Sequence, residues 1–129
     1  LPERTCVTRA LNVHGFHSNA SRFGGLGMYG ADALDIQELM RTTPSLAEPL
    51  HAQLPYTGAE VVWATRHEMA RTVEDVLARR TRALFLNARA AQAMAPAVSR
   101  VMAAELAWDT ARQASEVASF TALARAYQI

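Results

Sequence analysis

Between Glu60 and Leu86 the chain reads EVVWATRHEMARTVEDVLARRTRALFL, where Arg66, Arg71, Arg79, Arg80 and Arg82 are interleaved with Glu60, Glu68, Glu74 and Asp75. Guanidinium groups stay charged and present a planar fork of donors, so such a block could grip phosphates or pair with carboxylates across a packed interface. Net charge separates the two uses. Binding a nucleic-acid backbone draws on counterion release and needs a basic face. Here the carboxylates sit inside the same block, and in the whole chain thirteen basic residues meet twelve acidic ones for a net charge of +1. Two short helices joined by ARTV could imitate a helix-turn-helix, which makes a free-standing nucleic-acid-binding module the alternative. The charge balance favours carboxylate pairing.

Other residues suggest other chemistry. Gly25, Gly27 and Gly30 spell GLGMYG, a literal match to the phosphate-cradling glycine fingerprint. That fingerprint requires a buried strand before it and an acidic residue after a second strand, whereas HSNASRFG precedes this one and the proline-broken TTPSLAEP follows. His14, His17, His51, His67 and Cys6 are the candidate soft-metal ligands, but there is neither CxxC nor HExxH. The serines lie in polar or capping contexts without a GxSxG elbow. The sequence therefore nominates no catalytic, cofactor-binding or metal-ligating residue.

The elements that must position the arginines are read from periodicity. A chain of 129 residues, half of them apolar, is long enough for one independent core. A single cysteine allows no internal disulfide. No run approaches the ~20 apolar residues that span a bilayer, and LPERTC lacks the regions of a signal peptide. These features predict a cytoplasmic setting, and the start at Leu1 suggests an excised fragment. Residues 1–30 hold five of the six glycines and read as an irregular linker, with a short extended piece from Cys6 to Val13.

From Ala31 the pattern turns helical. Ala33, Ile36, Leu39 and Met40 mark one helix behind Asp32, and Pro44, Pro49 and Pro55 leave room for a short one over Leu46–Ala52. Glu60–Met69 forms the next. Thr72 can cap the helix after it, with Glu74 and Asp75 at the positive end of its dipole and Val73, Val76, Leu77 and Leu84 on one face. Ala88–Met94 continues the pattern, and Pro96 opens a helix with Val98, Val101, Met102 and Leu106 inward. Asp109 caps a last helix to Tyr127, buried along Val117, Phe120, Ala124 and Tyr127. No strand pattern of useful length is present. The prediction is an all-α bundle of about five to six helices over residues 31–129.

The segment from Glu60 to Ala88, with EDVLARRTR at its centre, resembles the C-terminal domain of FAD-dependent glycerol-3-phosphate dehydrogenases. The likeness extends to His14-Gly15, Tyr29-Gly30, Asp32, Leu54-Pro55 and the MAAELAWD of Met102–Asp109, and so covers nearly the whole chain. The family usually has Gly at Ala107, where a left-handed helix end would cost Ala about 1 kcal/mol. Asn87, where the family also uses Asp, is a lesser departure. The resemblance implies a catalytically silent cap. The parent's N-terminal part would carry FAD and the substrate site, oxidise sn-glycerol 3-phosphate and pass electrons to quinone at the inner face of the cytoplasmic membrane. This domain would pack on that flavin domain or on a second subunit, with Arg79, Arg80 and Arg82 as candidate interface residues. Internal ion pairs with Glu68, Glu74 or Asp75 are their other use.

Overall fold

The computed structural model describes residues 6–128. Leu1–Thr5, which include most of the stretch read for a signal peptide, lie outside the described residues. Two 3-10 segments, Val7–Arg9 and Ala20–Asp32, lead into α1 (Ala33–Thr42). A 3-10 turn at Pro44–Leu46 precedes an antiparallel hairpin of β1 (Pro49–His51) and β2 (Leu54–Thr57). Then come α2 (Gly58–His67), a wide π-type coil at Asp75–Arg80, α3 (Ala83–Leu86), α4 (Ala88–Leu106) and α5 (Thr110–Arg125). The fold is mostly α, as the periodicity predicts.

Every residue from Gly58 to Thr65 in α2 is buried. A helix enclosed on all sides needs a partner on each, and α2 has two cores. Val61 and Ala64 join a main core with Val73, Val76 and Leu77, with Met94, Val98 and Met102 of α4, and with Phe120 and Ala124 of α5. Ala59 and Trp63 join a smaller one with Phe23, Tyr29, Ala33 and Ile36.

Helix ends follow the chemistry of their residues. The Asp109 carboxylate accepts from the Arg112 amide at 2.7 Å, and the Asn87 side chain from Ala90 at 3.0 Å. These satisfy first-turn donors that have no partner within the helix. Ala107 ends α4 at φ 53°, ψ 42°, with the Ala103 carbonyl accepting from Trp108 at 3.2 Å. This is the left-handed end that the family's glycine would suit.

Several local expectations are corrected. Leu46–Ala52 is a 3-10 turn and a strand, because Pro49 denies a helix its amide while the edge of a two-stranded hairpin tolerates it. Cys6–Val13 contains a 3-10 turn in place of an extended piece. Residues 20–32 are packed: Phe23 and Tyr29 are buried against α1 and α2. Pro96 lies inside α4, where tertiary packing outweighs the lost bond to the preceding turn. The helix begun at Thr72 does not run straight to Leu86. It widens so that the Thr81 amide donates to Val76 at 2.9 Å, then breaks at Arg82 with φ 58°. Tyr127 lies past the end of α5 and is 47 % exposed.

Candidate domain interface and the adjoining cleft

Thr72 and Asp75 cap the coil reciprocally. The Thr72 hydroxyl accepts from the Asp75 amide at 3.1 Å, and the Asp75 carboxylate accepts from the amides of Arg71 and Thr72, each at 3.0 Å. Although burial pushes the other way, these donors and the nearby Arg79 hold the Asp75 carboxyl below its ordinary range. From α5, Glu116 accepts from the Val73 amide at 3.0 Å and pairs with Arg112 at 2.6 Å. The arginine-rich coil is thus fixed at its start by three side chains. Glu116 gave no sequence signal, since its partner lies 43 positions away.

The three nominated arginines then diverge. Arg79 turns back on its own coil, pairing with Glu74 at 2.5 Å and Asp75 at 2.8 Å. In solvent such pairs contribute about 0–1 kcal/mol. Arg80 donates to the Glu68 carbonyl through Nε at 3.1 Å and Nη2, and its Nε lies 3.5 Å from the Glu68 carboxylate. It therefore satisfies a carbonyl just past the C-terminus of α2, where backbone acceptors run out of helical donors. Arg82 is exposed; its carbonyl accepts from the Phe85 amide at 3.0 Å, while its guanidinium makes no hydrogen bond or ion pair among the described residues. Beside it Phe85 and Leu86 are exposed, and the Phe85 ring meets Tyr127 edge-on at 5.7 Å.

Glu68 also lines a cleft of about 430 Å³ together with His14, His17, Tyr29, Asp32 and Met28. His14 Nε2 lies 3.0 Å from Asp32 Oδ2, and the Ala31 amide donates to the Gly15 carbonyl at 2.9 Å. Gly30 explains the close approach: at φ 58°, a Cβ there would fall 1.8 Å from that carbonyl oxygen. Behind the cleft the Tyr29 hydroxyl donates to Glu60 Oε1 at 3.2 Å, and Glu60 Oε2 accepts from the Thr57 amide at 2.8 Å and its hydroxyl at 3.1 Å. Burial raises the Glu60 carboxyl despite these donors. It also raises the Tyr29 phenol, reinforced by Glu60, and the Glu68 carboxyl against the pull of Arg80.

Residues scattered through the sequence motif thus meet at one place: His14-Gly15, Tyr29-Gly30, Asp32, Glu68 and Arg80. Their bonds are made mostly to one another, so their chemistry is that of a joint between chain segments. Thr57-x-x-Glu60 forms a capping box, whose spacing is a sequence signal that the reading of periodicity passed over. The pairing of His14 with Asp32 gave no such signal. The glycine run does not fit a dinucleotide phosphate: it lies within 3-10 turns, a Cβ at Gly27 would come 2.9 Å from the Ala20 carbonyl, and Gly30 abuts Gly15. Among the described residues no three His, Cys, Asp or Glu side chains are placed to hold a metal ion, and no helix is long and apolar enough to cross a membrane.

Comparison with known proteins gives a consistent picture. The family described as the C-terminal domain of alpha-glycerophosphate oxidase matches residues 12–113. A probable mitochondrial glycerol-3-phosphate dehydrogenase of Caenorhabditis elegans is 36% identical over 89% of this chain and 19% of its own length. The mitochondrial glycerol-3-phosphate dehydrogenase of Bos taurus is 33% identical over 88% of this chain and 16% of its own length. That of Schizosaccharomyces pombe is 46% identical over 44% of this chain and 9% of its own length. The chain thus spans less than a fifth of the curated relatives it matches. No solved structure matches it.

Proposed function

This chain belongs to the family of C-terminal domains of alpha-glycerophosphate oxidase, and we propose that it is the accessory, non-catalytic helical domain of an FAD-dependent glycerol-3-phosphate dehydrogenase. The family match across residues 12–113 carries this reading. In the parent, sn-glycerol 3-phosphate is oxidised to dihydroxyacetone phosphate and the electrons go on to a quinone. Flavin and substrate belong to the N-terminal remainder, and no step of the reaction passes through the residues described above. The parent is placed peripherally at the inner face of the cytoplasmic membrane.

The domain's work is packing on the flavin domain or on a second subunit. Arg79, Arg80 and Arg82 have unequal shares in it. Arg79 and Arg80 brace the coil through Glu74, Asp75 and Glu68, while Arg82 offers a guanidinium beside exposed Phe85 and Leu86. A nucleic-acid role finds no support, since the element after ARTV, which would have to enter a groove, is a six-residue π-type coil with Val76, Leu77 and Ala78 buried that breaks at Arg82.

Reading the gene upstream of Leu1 tests the proposal. A strand followed by GxGxxG is expected in frame; a stop codon immediately upstream would sink it. The purified parent should be yellow with one flavin per chain.

A further inference from the structure

The leading segment also presents apolar side chains to solvent. Val13–Phe16 is a β-turn, closed by the Phe16 amide donating to the Val13 carbonyl at 3.1 Å, with Gly15 at φ 80° in its third position. The turn is anchored at both middle residues: His14 to Asp32, and the Gly15 carbonyl to the Ala31 amide. This anchored turn nevertheless holds its apolar side chains in solvent. Val13 is 77 % and Phe16 54 % exposed, and Met28, on the wall of the adjoining cleft, is 65 % exposed. Scattered single apolar residues are ordinary on a surface, whereas adjacent ones mark a contact.

Resting on the function proposed above, we infer that the Val13–Phe16 turn and Met28 form the seat of the flavin domain of the same polypeptide. Two observations favour that occupant over a second copy or a lipid surface. The family match opens at residue 12, so the turn stands where this domain meets whatever comes before it in a relative more than five times longer. The face is also poorly suited to anionic lipid, because Asp32 and Glu68 line the cleft beside it. Of the other exposed apolar residues, Phe85 and Tyr127 are partly satisfied by their own ring contact, and Tyr127 lies beyond the matched residues.

Hydroxyl-radical footprinting of the full-length parent tests this. Phe16 and Met28 should react several-fold more slowly than Met69, which is also strongly exposed in this domain. Protection that survives dilution to monomer, and is lost at Met28 in Val13→Glu with Phe16→Glu, supports the seat. Equal reactivity of Phe16, Met28 and Met69 would overturn it. Protection that fades on dilution would assign the face to a second copy, and protection that needs added anionic vesicles would assign it to lipid; each overturns the inference. A parent without flavin absorbance would instead remove the underlying function, so the two failures are distinguishable.

Discussion

The two cores that share α2 are held together by different means. The main core closes on itself with apolar volume: Leu77, Met94, Met102 and Phe120 are fully buried and come from the π-type coil, α4 and α5. The smaller core is built on Phe23, Ile36 and Trp63 and is fastened across its edge by one buried polar tie, Tyr29 to Glu60. The exposed apolar turn at Val13–Phe16 lies on this second side of the molecule, joined to it through Asp32 and Ala31. Each core also has a buried carboxylate at its edge, Glu116 beside the main one and Glu60 beside the smaller, so the difference between them lies in apolar volume.

The contrast can be broken most directly at Leu77. Leu77→Ala should cost about 3 kcal/mol, within the usual 2–5 kcal/mol for a buried large-to-small change, and a urea melt followed by helical circular dichroism should show one transition at lower denaturant. Tyr29→Phe should cost about 1 kcal/mol, the net worth of a typical hydrogen bond, and should be felt first by Trp63 fluorescence. A loss as large as that of Leu77→Ala would mean the two cores are not differently built. Ala107→Gly touches neither core and should stabilise by roughly 0.5–1 kcal/mol, by relieving a left-handed alanine. Calorimetry would register a small rise in Tm, and no rise would mean that the end of α4 relaxes.

The smaller core should also answer to pH. Burial raises the Glu60 carboxyl in the folded state, so folding favours its protonated form. Its contribution is fully present below the ordinary carboxylate range and is lost as pH rises through the folded value. Denaturant melts between pH 4 and 7 should therefore show a downward term, which Glu60→Gln abolishes. An unchanged slope in that variant would place the pH dependence elsewhere.

Most of the helical frame was legible because its signals are local. Thr72, Asp109 and the stripe of Val73, Val76 and Leu77 depend on neighbours within a few positions, and each does in the fold what spacing predicts. The glycine-rich start was misread because its order comes from afar: Tyr29 finds Glu60 31 positions on, and Gly30 is chosen by the Gly15 carbonyl that it must admit. Pro96 was taken for a beginning because a lone proline usually is one; only packing on α5 and α2 shows that the helix passes through it. Of the three arginines at the candidate interface, the internal partners of Arg79 were readable from spacing. Arg80's backbone acceptor was not, since the carbonyl of Glu68 is offered only after α2 ends and the chain reverses at Met69.

Because α2 is a wall common to two rooms, its amides have no private route to solvent. A helix buried on one face can fray while the rest stands, but the Gly58–Thr65 stretch is buried throughout. Hydrogen exchange there must wait for both cores to part, so these amides should be the slowest in the chain and should report the global opening free energy. The helix that both cores enclose is thereby also the chain's clock.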